Sequence, residues 1–485
     1  MLEEIMRHLL VHGFVAPSAS IYGGLKGFYD YGPMGALLKR NIERAWLEEF
    51  VLREDNVFLV DGSLILPFQV LKASGHVDHF TDPTTKCGKC GRVFRADKLV
   101  EERLGIRAEG MGVEELGKAI KRVRCPTCGG DLSGINLVNL MFEVGVGPYR
   151  SDRAYLRPET AQVMFLDFRY FQTSLGLRLP FGIAQVGKSF RNEISPRQGL
   201  LRLREFTQME VEMFIDPSDV RCPGFEEVKD VNLRILTRDR QVKGATDALE
   251  ISAGKALSSG LLPNEYMAYY LAKETLFFTE RLGISTENVR FRHLMPEETP
   301  HYSGGNFDLE VRLSVGWIEV VGNAYRRDYD LKQHMEHSGK DLSMTVNGRK
   351  VIPHVVEPSF GLDRMIYCLL EHSYTKEGRK WPWLRLPTEL APIRAAVLPL
   401  SRRPLMVKVA RDVHRMLRRR AIPSVYLEKG SIGSRYARSD MMGIPYCITI
   451  DYGSLNDSTV TLRNRDTREQ RRIKISDIPK ELTTT

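Results

Sequence analysis

Apolar residues recur along this chain with two periods. Over residues 36–51, Leu37, Leu38, Ile42, Ala45, Trp46 and Phe50 fall at helical spacing and predict an amphipathic helix laid on a core. A shorter helix is expected over residues 1–13, with Ile5, Leu9 and Leu10 inward. Between them the Gly- and Tyr-rich stretch 21–35 reads as irregular, and residues 57–60 read as a strand. The clearest strand pair comes later. Phe190-Arg191-Asn192-Glu193 and Arg202-Leu203-Arg204-Glu205-Phe206-Thr207-Gln208-Met209-Glu210 flank a polar turn, Ser195-Pro196-Arg197-Gln198-Gly199, and predict an antiparallel hairpin. Residues two or four apart share a strand face, which aligns Arg191 with Glu193 and Arg202 with Phe206. One face then offers a forked cation, a carboxylate and an aromatic plate, the groups a nucleoside triphosphate needs. A salt-bridged edge hairpin has the same spacing.

Other stretches carry chemistry in a structural setting. In Leu156-Arg157-Pro158-Glu159-Thr160-Ala161-Gln162 the proline ends a strand and a helix begins near Thr160. Glu159 there would favour the helix dipole. Gly316 to Gly322 reads as a buried strand holding one carboxylate, Glu319, which is costly unless paired or bound to a metal. Val356-Glu357-Pro358-Ser359-Phe360-Gly361-Leu362-Asp363-Arg364 leads into an apolar helix. Arg364 in its first turn opposes the dipole and calls for an anionic partner. Residues 217–290 are charged, with a helical stretch over 265–282. They read as an insertion with a solvated surface. After a Pro-rich junction at 381–392 the pattern changes to alternating strands and helices, an α/β domain with a mostly parallel, right-handed βαβ core. Its Lys429, Arg435 and Arg438 are candidate RNA contacts, although each singly reads as a solvated surface charge.

At 485 residues and 42% hydrophobic content, the chain is long enough for two or three domains. No apolar run approaches the ~20 residues that cross a bilayer. The acidic N-terminus, Met1-Leu2-Glu3-Glu4, lacks a signal-peptide layout, so a cytoplasmic protein without membrane attachment is expected. The net charge of +9 suits a polyanionic partner. Four of the seven cysteines form two Cys-x-x-Cys pairs, Cys87/Cys90 and Cys125/Cys128. Two such knuckles make a closed four-thiolate zinc site, structural because no ligand position is left for water. A ribbon of reduced thiols is the alternative.

Phe-Arg-x-Glu, loop, Arg-x-x-x-Phe resembles motif 2 of class II aminoacyl-tRNA synthetases. The string from Gly187 to Glu210 is similar to glycyl-tRNA synthetases of the homodimeric type. The helix entered through Pro33 and its following strand resemble motif 1, the dimer interface of that class, and the string at Arg364 resembles motif 3. The resemblance implies a class II antiparallel sheet flanked by helices, an α+β catalytic domain at 1–388. Within it lie a zinc-ribbon-like insertion at 81–134 and the charged insertion at about 217–290. An α/β anticodon-binding domain follows at 389–485.

It also implies roles. Arg191 would stabilise the α-phosphate of ATP, Arg364 hold the γ-phosphate, Phe206 stack adenine, Glu193 accept from its amine and Glu319 hold Mg2+ with ATP. The ATP site would further take Asn192, Leu201, Arg202, Leu203, Arg204, Glu205, Val320, Gly361, Leu362 and Asp363. The glycine pocket would take Arg95, Glu159, Phe206, Thr207, Gln208, Met209, Glu210, Glu357, Pro358, Ser359, Phe360 and Gly361. Glycine, ATP and tRNA(Gly) are the implied substrates and a homodimer the implied assembly. A different amino-acid specificity, a relative that has lost catalysis, and a zinc-ribbon nucleic-acid binder are the rivals.

Overall fold

Nine strands form the central sheet: β1 (Val57–Val60), β2 (Phe181–Phe190), β3 (Glu205–Ile215), β4 (Asn232–Leu236), β5 (Leu249–Ser252), β6 (Val289–His293), β7 (Asn306–Leu313), β8 (Gly316–Arg327) and β9 (His354–Gly361). Their order is β5-β4-β6-β7-β8-β9-β3-β2-β1, antiparallel except at β1–β2 and β4–β6. The computed structural model describes residues 1–483 apart from 107, 109, 195, 197, 198 and 300–302, so most of the polar turn expected at 195–199 lies outside the described residues.

Alternation along the strands separates a packing face from a site face. On β3, Met209, Val211 and Met213 enter the main core, and Phe360 of β9 does the same. There Phe360 meets Trp46 and Phe50, with ring centroids 5.7 and 4.9 Å away. Trp46 belongs to helix α1 (Pro33–Leu47), which begins at a proline and continues as a wide turn through Leu52. Their neighbours Gln208, Glu210, Ser359 and Gly361 therefore point the other way. Beyond the sheet, helix α2 (Ala161–Leu166) closes a second apolar cluster on that face with Phe165, Phe168 and Phe214.

Several expectations are corrected. Leu10 is 50% exposed and Leu37 is also exposed, because each lies at the flank of its helix stripe. The stretch 21–35 is not wholly irregular: Tyr29–Tyr31 pairs with Val15–Pro17. The segment 217–290 is not a solvated appendage. It supplies β4, β5 and the first two residues of β6, and its helix α3 (Glu265–Leu276) is buried at ten of twelve positions. The motif 2 hairpin ends sooner than expected. Its ladder closes at Phe190 opposite Glu205, so Arg191, Asn192, Glu193 and Arg202 belong to the connection and not to strand faces.

The cysteine-bearing module is a three-stranded sheet (Thr81–Lys86, Val93–Arg95, Asn136–Asn139) with helices Ala96–Leu104 and Val113–Ile120 over its own apolar cluster. The C-terminal sheet comprises β10 (Ala395–Pro399), β11 (Ser424–Tyr426), β12 (Tyr446–Ile450), β13 (Thr459–Asn464) and β14 (Gln470–Lys474), ordered β11-β10-β12-β13-β14. The first three are parallel and the last two antiparallel. Among the described residues no helix is long and apolar enough to cross a membrane.

Candidate active site

The ends of β3, β9 and β8, the loop after β2 and the start of helix α4 (Leu362–Ser373) surround one cavity of about 230 Å³. It is lined by Glu159, Arg191, Glu193, Leu201, Arg202, Leu203, Phe206, Thr207, Gln208, Glu210, Glu319, Val320, Glu357, Ser359, Gly361, Asp363 and Arg364, all expected from the sequence, and by Leu200 and Gly322, which were not.

The upper half is cationic and aromatic. The Arg191 guanidinium lies 5.3 Å from the Phe206 ring and 5.4 Å from the Phe80 ring, and its Nε donates to the Pro158 carbonyl at 3.1 Å. Held by rings and a carbonyl, it has no carboxylate partner among the described residues. Arg364 donates to the carbonyls of Leu201 (3.2 Å) and Glu319 (2.9 Å), with the Glu319 carboxylate 3.4 Å away. That carboxylate is 51% exposed, so the expected buried charge is corrected: β8 reaches solvent there, and no desolvation cost forces a partner. Glu193 is engaged by Arg202 at 2.5 Å. Asp363 accepts from the Thr207 amide at 2.6 Å and from the Tyr31 hydroxyl, tying α4 to β3.

The lower half is acidic. Glu210 accepts from the Thr160 hydroxyl, and Gln208 donates to Ser359 Oγ at 3.1 Å. Glu357 is paired with Arg326 at 2.7 Å, and Arg326 also grips Asp330. Glu159 accepts from Gln162 at 2.8 Å and lies 3.5 Å from His76. Burial pushes the Glu210 carboxyl up to about 8, helped by Glu357 and Glu159. Burial acts on Glu159 too, but His76 and Arg326 outweigh it and hold that group below the usual carboxylate range. Behind the pocket Arg157 is fully buried and donates to the Lys188 carbonyl at 2.7 Å and to Gln185 at 3.0 Å. It passes so close to Gly187 that a Cβ there would meet its Nη2 at 2.0 Å.

Eight expected residues do not line the cavity. Met209, Phe360 and Leu362 turn into the main core. Pro358 is buried opposite Asn323. Glu205 pairs with Lys188 on the outer face. Arg204 clamps the Glu193 and Lys26 carbonyls, and the exposed Asn192 offers its amide to the Leu140 carbonyl at 2.7 Å. Arg95 is saturated by Asp97 at 2.6 Å and Asp82 at 3.5 Å. Phe80, His76, Arg326 and Glu212 shape the site and were not foreseen. Only Glu212 left a signal, an acid two places beyond Glu210 and so on the same strand face.

In the cysteine module, Cys87 and Cys128 Sγ are 3.5 Å apart and Cys90 and Cys125 Sγ 3.8 Å. All four sulfurs lie within 4.8 Å of one another, and none is in a disulfide. The edge of a tetrahedron of thiolates around zinc is about 3.8 Å, so the four sulfurs fit that ion. Arg435, a candidate RNA contact, is buried and donates to the Pro399 and Leu427 carbonyls; Lys429 and Arg438 are exposed.

An antiparallel sheet whose strand ends carry this cation–aromatic–acid cavity defines the class. Residues 146–373 match the tRNA synthetase class II core domain (G, H, P, S and T), and residues 394–485 match the anticodon binding domain. A prolyl-tRNA synthetase from Cryptosporidium parvum, solved with L-proline and AMP, shares the fold at a TM-score of 0.59 and 12% identity, over 99% of this chain and 75% of that one. The chain is thus built as a class II aminoacyl-tRNA synthetase.

Relatives place it further. The glycine–tRNA ligase of Pyrococcus furiosus is 40% identical over 99% of this chain and 98% of its own length. That of Methanocaldococcus jannaschii is 38% identical over 98% and 97%. The chain belongs to the glycine–tRNA ligase family.

Proposed function

We propose that this chain activates glycine with ATP to glycyl-adenylate and transfers the glycyl group to the 3′ end of tRNA(Gly). The observation that carries the reading is the junction of the two halves of the cavity. A cluster of acids suited to an ammonium, with Ser359 beside it, abuts two arginines and an aromatic ring suited to a nucleoside triphosphate.

In the first step the glycine carboxylate attacks the α-phosphorus and pyrophosphate leaves. Charge positioning dominates such a step, and no protein base is needed. Arg191 is placed to stabilise the α-phosphate, Arg364 the γ-phosphate, and Phe206 to stack adenine. Glu193 is proposed to accept from the adenine amine with the oxygen that Arg202 leaves free. The exposed Glu319 carboxylate fits the oxygen-rich shell of Mg2+, which would screen the phosphates. Glu159, Glu210 and Glu357 hold the ammonium, and Ser359 lines the space next to Cα. Glycine has no side chain to grip, so bulk beside Cα is what excludes alanine, and a separate editing site is not required.

Zinc held by the four cysteines would be structural. A homodimer belongs to the proposal because β1 is an unpaired sheet edge flanked by the exposed Leu52, Leu59, Leu64 and Ile65. The proposal also includes a cytoplasmic setting, which keeps the thiols reduced. The test is amino-acid-dependent exchange of pyrophosphate into ATP across all twenty amino acids without tRNA. Exchange with glycine alone is expected. Exchange with another amino acid would overturn the specificity, and none at all from folded, zinc-replete protein would overturn the activity.

A further inference from the structure

One carboxyl behind the pocket has no part in the roles above. Glu212 follows Glu210 on the same face of β3, and no part of it reaches solvent. Neither of its oxygens receives a hydrogen bond from a described residue. It faces acids instead: one carboxylate oxygen from each of Glu210, Glu212 and Glu357 lies within 4.8 Å of the others. Asp330, from the helix that follows β8, adds a further negative charge on Glu212, and Glu159 adds one on Glu210 and Glu357. The cation that faces Glu212 is Arg326 of β8, whose guanidinium is engaged by Asp330 at 2.7 and 2.8 Å and by Glu357 at 2.7 Å. Arg157, farther off, acts on Glu210.

Ionised carboxylates held this close and this deeply buried need a donor between them. We propose that Glu212 is a positioning residue for glycine, a neutral carboxylic acid that donates its O–H to Glu357. The donation fixes the carboxylate that faces the substrate ammonium, and it removes one negative charge from a pocket that receives a single positive one. Burial, then the charges of Glu357 and Glu210, push the Glu212 acid well above the usual range, which agrees with this state. A divalent cation held by the three acids is disfavoured, because Arg326 already neutralises Glu357 and Glu212 has no exposed surface through which an ion would enter. The proposal rests on the lower cavity being the glycine pocket.

Two measurements on the full-length protein test it. In the infrared difference spectrum of wild type against Glu212→Gln at neutral pH, the carbonyl stretch of a neutral carboxylic acid should be lost. In pyrophosphate exchange, Glu212→Gln keeps a donor and should hold the KM for glycine within about threefold of wild type. Glu212→Leu removes the donor and should raise it roughly ten- to hundredfold with the KM for ATP unchanged. Loss of carboxylate bands instead, Glu212→Gln as impaired as Glu212→Leu, or a bound metal present in wild type and absent from Glu212→Gln would each overturn the proposal. The infrared arm does not depend on activity. It still decides the state of Glu212 if no amino acid is activated, or if the leucine variant does not fold.

Discussion

Arginines in two parts of this molecule meet opposite fates. Around the C-terminal domain, Arg379 of the preceding junction and Arg463 both close on the buried Asp440, at 2.8 and 2.9 Å, while Arg465 is taken up by Asp466 and by the carbonyls of Gly443 and Leu386. At the strand ends of the central sheet Arg191 is held by two rings and a carbonyl, and Arg364 by two carbonyls and a half-exposed acid. The first set is electrically satisfied and fixes structure. The second is oriented by rings and carbonyls: Arg191 meets no carboxylate among the described residues, and the acid beside Arg364 is half exposed to solvent, which screens it. A buried ion pair is poor grounds for inferring function, whereas a positioned cation without an acid is a good one.

The sharpest way to break that comparison is to truncate one member of each set. Arg191→Ala should lower glycine-dependent pyrophosphate exchange by about 10²–10³ with little change in melting temperature. Arg463→Ala should do the reverse. It leaves Asp440 with one cation and costs about 3 kcal/mol of stability, seen as an earlier thermal transition, while exchange at low temperature persists. If both variants lost stability alike, the distinction between the two sets would fall.

The acids offer a pH test of the same distinction. Glu210 titrates near 8 because it is buried beside Glu357 and Glu159. A carboxyl raised in this way favours the folded state while protonated, and that contribution is lost as pH rises from the ordinary glutamate value through about 8. Binding an ammonium requires the ionised form. The KM for glycine should therefore fall by up to about tenfold per pH unit on approaching 8 from below. Glu210→Gln should raise the KM and remove the slope. A flat profile in wild type would place the ammonium elsewhere.

Much of this site could be read before any fold was known, because its residues come in short strings: Phe190 to Glu193, Arg202 to Glu210, Glu357 to Arg364. What the strings conceal is side-chain direction where a strand stops. Glu319 belongs to an apolar run yet emerges at a rim, and Arg191 and Glu193 meet Phe206 and Arg202 through a loop, not by alternation. Helix α3 hides for a different reason. Tyr266, Met267, Tyr269, Tyr270 and Leu271 give it apolar surface almost all the way round, so no broad polar face marks its place inside. Arg435 reads as surface charge because nothing local announces that the Pro399 and Leu427 carbonyls await it. Arg326 and His76 were illegible since their partners Glu357 and Glu159 are distant in sequence.

The cysteine module touches the cavity through Phe80 and the Leu140 carbonyl that receives the Asn192 amide. Cys125→Ser should reduce bound zinc from one per chain to near none and lower exchange by about 10–100-fold, since outer supports of a site carry effects of that size. Zinc content that is already negligible in active wild type would remove the metal from the account.

Phe80→Ala asks the smallest and most selective question. It leaves the thiolates untouched and deletes one of the two rings that bracket Arg191. A cation–π contact of this exposure is worth about 0.5–1 kcal/mol, so the KM for ATP should rise about two- to fivefold while zinc content and the KM for glycine stay constant. Phe80→Tyr should restore it. A rise in the KM for glycine instead would mean that the module supports the acidic half of the cavity. Arg191 would then be fixed by Phe206 and the Pro158 carbonyl alone.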